Sequence, residues 1–162
     1  MATPNDAIAH SLTIAQALIK RYTDDLQPQE YLHRPAEKAN CTAWLLGHLA
    51  LSDRRALEVM GAPLPALPEG FAQRFSQKEG CPQASDFGDV SQAVSAFHEH
   101  RSRLIETVRQ ATPQQLDKPL ERAFPGLAQT VGELANFMAV HSAMHAGQIT
   151  IIRRSLGKPP VV

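Results

Sequence analysis

The sequence predicts an all-α protein, a four-helix bundle with long connections, and three observations support that reading. Four segments carry apolar side chains at alternating steps of three and four. Almost nothing alternates with the period of two that a half-buried strand needs. The segments are also similar in length, each about 20 residues and therefore about 30 Å long at the helical rise. A chain of 162 residues suffices for a single domain, 1–162, with a core of its own.

The first segment, from about Asn5 to Leu26, puts Ile8, Leu12, Ala15, Ile19, Tyr22 and Leu26 on one face. Thr3 or Asn5 can cap it, Pro4 suits its first turn, and Pro28 follows its end. The second starts with Asn40 as N-cap and runs through CTAWLLGHLALSDRRALEVM to the stop signal at Gly61-Ala62-Pro63. A third, about Asp89 to Gln110, aligns Val90, Val94, Phe97, Leu104 and Val108 and stops before Thr112-Pro113. The fourth begins at Thr130, where Glu133 completes a capping box, and stops at Gly157-Lys158-Pro159.

The connections 27–39 and 62–88 are long for a compact domain. Either could cross the length of the bundle, so a simple up-down-up-down order does not follow. Segment 62–88 keeps Leu64, Leu67, Phe71, Phe75 and Phe87 among prolines and glycines. It reads either as a cover that walls a cleft or as an irregular solvated crossover.

Sixteen basic and sixteen acidic residues cancel, which argues against a polyanion-binding surface and hence against a nucleic-acid partner. Cys41 and Cys81 are too few and too far apart for a disulfide framework, and no CxxC occurs. A reducing, cytoplasmic setting is expected. The N-terminal MATPNDAIAHSL lacks the pattern of a signal peptide, and no run of eighteen apolar residues suggests a membrane span.

The chemistry concentrates in the fourth segment. Val131, Leu134, Met138, His141, His145, Gln148 and Ile152 follow one another at steps of three and four, which assigns the histidines and the glutamine to the core stripe. Burying three polar side chains there is costly unless something satisfies them. Histidines at i and i+4 present two nitrogens one helical turn apart, a spacing at which one metal ion can take both. His48 lies in WLLGHLAL, the most apolar stretch of the second segment, beside Gly47, whose missing side chain permits a close backbone approach. Alone it would read as a hydrogen-bonded core residue; with His141 and His145 it completes a set that can converge at mid-bundle. Three imidazoles with no obligatory fourth protein ligand describe an open site, suited to Zn, Ni, Fe or Cu.

Gln148 could orient a histidine or reach a group bound at the metal; otherwise it is a partly exposed residue near a helix end. Arg101 interrupts the apolar face of the third segment and reads as a snorkelling surface arginine, with a cation aimed at an anionic substrate group as the alternative. His10, His33, His98 and His100 read as surface residues, and Asp53 and Glu133 as helix-surface or capping residues.

WLLGHLA of the second segment and TVGELANFMAVHSAMHAGQITIIRRSLGKPP of the fourth resemble the DinB-like superfamily, also called the DinB/YfiT group. The specific parts are Gly47-His48 and the HxxxHxGQ of His141, His145, Gly147 and Gln148. The resemblance implies a four-helix bundle, usually a homodimer, in which His48, His141 and His145 bind a divalent metal, zinc or nickel. It further implies thiol-dependent transfer: a low-molecular-weight thiol added to a small electrophile. A metal-dependent hydrolase uses the same parts, and a non-enzymatic metal-binding or stress-response bundle is the third possibility. No catalytic residue beyond the ligands is identified. Ala9, Ala17 and Leu18 form a weak second apolar set that could meet a partner subunit.

Overall fold

The computed structural model describes residues 3–76 and 84–161, so Cys81 and part of the long connection lie outside the described residues. Four long helices carry the fold: α1 (Pro4–Thr23), α2 (Thr42–Val59), α4 (Ser91–Gln110) and α6 (Val131–Ser155). Between them lie a 3₁₀ turn at Pro28–Leu32, the short helix α3 (Phe71–Phe75), a second 3₁₀ turn at Ala84–Phe87, the single turn α5 (Pro113–Leu116), and the strands β1 (Pro119–Phe124) and β2 (Ala128–Thr130).

The helix ends follow from local chemistry. Thr3 caps α1 and exchanges hydrogen bonds with Asp6, while Thr130 and Glu133 do the same for α6, so each start satisfies two otherwise orphaned N–H groups. Asn5 acts between helices instead, since its side-chain amide donates to the carbonyls of Val108 and Ala111 and ties the start of α1 to the end of α4. The N-cap of α2 is Cys41 rather than Asn40, and its side chain does not cap the helix. Its wholly buried side chain contributes to the core instead. Gly157, at φ +76°, ends α6 in the left-handed conformation that the sequence anticipates there.

Which way the helices run can be read from the two halves of the core. One apolar cluster joins Ile19 of α1, Leu45 and Leu49 of α2, Phe97 of α4 and Ile149 of α6. The other joins Leu12, Leu57, Leu104 and Leu134 of the same helices. Hence α1 and α6 run in one direction and α2 and α4 in the other. The packed pairs are α1 with α6, α1 with α4, α2 with α4 and α2 with α6, which leaves α1 and α2 on one diagonal. The bundle is up-down-down-up, and the link from α2 to the parallel α4 has to return the length of the molecule.

That return is what the long connection does. Phe71, Phe75 and Phe87 are buried in the first core cluster, with ring centroids 4.5 and 5.5 Å apart along the series, so the covering reading of 62–88 holds for its described residues. Gly47 makes this possible, since a Cβ there would lie 2.2 Å from the ring of Phe75. The antiparallel hairpin β1–β2 was not expected from the periodicity. Its burial pattern shows no alternation, and only the turn residues Pro125-Gly126, with Gly126 at φ +73°, signal it.

Candidate metal centre

The two apolar clusters are separated at mid-height by a polar layer, and the histidines form its outer edge. His48 comes from α2 and His141 and His145 from α6, two helices that meet antiparallel. His48 Nε2 lies 3.3 Å from His141 Nε2, and His141 Nε2 lies 2.9 Å from His145 Nε2. One ligand atom from each can be chosen so that all three fall within 4.8 Å of one another. Two nitrogens bound to one ion at about 2.05 Å stand about 2.9 Å apart at a right angle and about 3.3 Å apart at the tetrahedral angle.

All three rings are half-buried rather than enclosed. The fully buried stripe of α6 runs through Met138, Ser142, Ala146 and Ile149, so His141 and His145 sit on its margin, and Gln148 is exposed. This corrects the assignment of the three to the core stripe: a helix turns 100° per residue, and the wide apolar face of α6 is centred one position further on. The displacement leaves the site accessible from one side.

Electrostatics and packing hold the rings ready for a cation. His145 Nδ1 donates to Gln148 Oε1 at 2.7 Å, which fixes the proton on the outer nitrogen and turns the Nε2 lone pair inward. Burial, and secondarily the charge of neighbouring His145, lowers the pKa of His48 to about 4. Burial also takes His141 to about 4, with smaller contributions from His145, His48 and Arg101. His145 is lowered by burial, with the Gln148 bond opposing. The imidazoles are therefore neutral near pH 7, the state in which histidine ligates metal. Two aromatic residues, each one turn ahead on the same helix, stack on two of the histidine rings: Trp44 on His48, centroids 4.8 Å apart, and Phe137 on His141, 5.8 Å apart. Three inward Nε2 atoms cannot satisfy one another by hydrogen bonds alone, and the donor set fits a divalent cation.

Other predicted residues sit elsewhere. Arg101 does not reach the surface or an open cleft: it is 0 % exposed and makes a bidentate ion pair with Asp53, also 0 % exposed. Both surface readings are thereby corrected, because each charge is satisfied by the other in the interior. His100 is likewise fully buried, its Nδ1 donating to the carbonyl of Ala96. His10 is exposed, whereas His33 and His98 are partly covered. Sequence reasoning did not single out Trp44, Phe137 or Ser142. The two aromatics stand four residues before His48 and His141, a signal available from spacing alone.

The sequence profile of the DinB superfamily matches residues 11–149. The chain belongs to the DinB superfamily. Two solved structures share this DinB-like architecture. A conserved protein from Enterococcus faecalis superposes with a TM-score of 0.72 at 14 % identity, covering 98 % of this chain and 100 % of that one. YfiT from Bacillus subtilis superposes with a TM-score of 0.67 at 15 % identity, covering 96 % of this chain and 89 % of YfiT. YfiT is described as a probable metal-dependent hydrolase with an unusual four-helix bundle topology. No curated protein matches the sequence. At these identities the structural likeness speaks for the fold, which agrees with the up-down-down-up order of this DinB-superfamily bundle. Among the described residues no helix is long and apolar enough to cross a membrane.

Proposed function

We propose that this protein is a metal-dependent enzyme acting on a small molecule, and that it transfers a low-molecular-weight thiol to an electrophile. The reading rests on the convergence of three neutral Nε2 atoms from His48, His141 and His145 on one partly open point. These residues would hold a divalent cation, zinc or nickel. When bound with positions free, such an ion acidifies a thiol or water that it takes up and acts as a Lewis acid. Gln148 keeps His145 in the ligating tautomer, and Trp44 and Phe137 hold the other two rings in plane.

The absence of a base favours thiol over water as the nucleophile. Among the described residues the cluster contains no carboxylate, and the nearby Asp53 is fully engaged by Arg101. A thiol, far more acidic than water, requires least help from the protein in losing its proton. Hydrolysis is the second reading, favoured by the description of the structural neighbour YfiT.

The deciding experiment loads the purified protein with zinc or nickel and offers a panel of thiols with an electrophile in parallel with ester and amide substrates. Metal-dependent loss of thiol, abolished in His145→Ala, is the expected result. Metal-dependent hydrolysis with no thiol consumption would replace the first reading by the second.

A homodimer in a reducing, cytoplasmic compartment is part of the same proposal. Of the expected set on α1, Ala9 is buried and Leu18 is partly buried against the core, which leaves Ala17 exposed. On α6, however, Val140, Met144 and Ile151 are 50–63 % exposed along one stripe, and a Cβ on the intervening Gly147 would meet nothing within 4 Å. Such a stripe suits the equivalent helix of a second copy. Light scattering would show twice the chain mass, and Met144→Glu would return it to the monomer.

A further inference from the structure

The polar layer behind the histidines contains a second constellation, for which metal ligation has no direct use. Asp53 of α2, Arg101 of α4 and Ser142 of α6 are each 0 % exposed. Arg101 donates through Nε and Nη2 to the two carboxylate oxygens of Asp53, both at 2.8 Å. Nη2 also donates to Ser142 Oγ at 2.6 Å, and the Ser142 hydroxyl donates to the carbonyl of Met138 at 3.0 Å. One guanidinium thus joins three helices at the height of the histidines. Ser142 directly follows His141, and Asp53 comes five residues after His48. The two helices that carry those ligands touch each other less extensively than either touches its other neighbour, α4 for α2 and α1 for α6, and Arg101 reaches from α4 to a residue of each.

We propose that Arg101, with Asp53 and Ser142, is a positioning brace that fixes the separation of His48 from His141 and so sets the affinity and coordination geometry of the metal centre. This rests on the reading of the three histidines as a metal site. Apolar packing is non-directional, and alone it lets helices slide; a bidentate guanidinium–carboxylate pair accepts one geometry. A functional site needs its donors held within about 0.5 Å of the productive arrangement, a tolerance that depends on the groups behind them. Stability alone gives little reason for the pair, because apolar residues of similar volume often serve a core equally well or better.

The test compares the wild-type protein with Asp53→Leu/Arg101→Met, Ser142→Ala and Arg101→Lys. Each is titrated with Co²⁺ and followed by its visible absorption, and urea unfolding is measured on the metal-free proteins. The double variant is expected to unfold at the wild-type urea concentration or higher, yet to bind Co²⁺ about 10- to 100-fold more weakly, with shifted absorption bands. Ser142→Ala, which leaves the ion pair intact, should show a smaller loss in the same direction and decides the matter if the double variant does not fold. Arg101→Lys, which keeps the charge without the fork, should fall between wild type and the double variant. Wild-type affinity and spectrum in both the double variant and Ser142→Ala would overturn the brace. No Co²⁺ binding by the wild type would overturn the histidine reading itself, and the brace with it, a result readily told apart from the former.

Discussion

At the scale of single residues, the three histidines differ from the other four in what surrounds them rather than in type. Each points Nε2 at the same small volume, so each should be separately indispensable for binding a metal. Replacing His48, His141 or His145 by Ala is expected to weaken metal binding by more than the roughly 10- to 100-fold that loss of an outer partner costs. Gln148→Ala, which removes only the acceptor for His145 Nδ1, should fall within that range. His98→Ala should retain the metal, because His98 sits between α1 and α4 beside Gln16. Elemental analysis of untagged protein checks all five, and equal retention throughout would refute the ligand assignment.

The same burial has a pH consequence. His48 and His141 have folded pKa values near 4, below the ordinary 6.5, so the unfolded chain binds protons at these positions more readily than the folded one. Their depressed values favour the folded state above pH 6.5, and that advantage is lost as pH falls toward 4. The urea midpoint of metal-free protein should therefore drop between pH 7 and pH 4.5, and it should drop less in His141→Ala. Identical pH dependence in the two proteins would show that these rings do not titrate as their burial requires.

At the scale of elements, periodicity located the four long helices to within a few residues, and capping chemistry located several of their ends. The misplacements have physical causes. Asn40 has a side chain suited to capping α2, but the helix starts one residue later, with the buried Cys41 at the cap. The β1–β2 hairpin is not legible in the sequence because its strands are mostly exposed and carry no alternating pattern. Gly47 was legible as a point of close approach, although nothing in the sequence said that Phe75 would be the neighbour. Gly47→Ala should cost about 1–3 kcal/mol, the usual range for overpacking, as read from the shift in urea midpoint. A cost near zero would mean that Phe75 moves aside freely.

At the scale of the whole molecule, the metal proposal predicts a link between α2 and α6, the two ligand-bearing helices. An ion bound only by the folded state stabilises it by mass action, about 2.7 kcal/mol at a hundred times the dissociation constant. Stripping the protein with a chelator should lower its unfolding temperature, and added zinc or nickel should restore it, with no such response in His141→Ala. An unfolding temperature indifferent to metal in the wild type would separate the histidines from any stabilising ion.

The sequence by itself determined the helical class, the approximate spans of the helices and the histidine pair of α6, because these depend on spacing along one chain. The i, i+4 pair on α6 needs no tertiary information, and Gly47-His48 together with HxxxHxGQ was enough to point to the DinB-like superfamily. Only the tertiary structure decided that α2 and α4 run parallel, that the described residues of the connection between them cover the bundle, and that Arg101 and Asp53 meet inside it. An arginine on an apolar face is compatible with snorkelling or with an interior partner, and the choice depends on which helix packs opposite. Local periodicity records which face of a helix is buried; what lies across from that face is a property of the assembled chain.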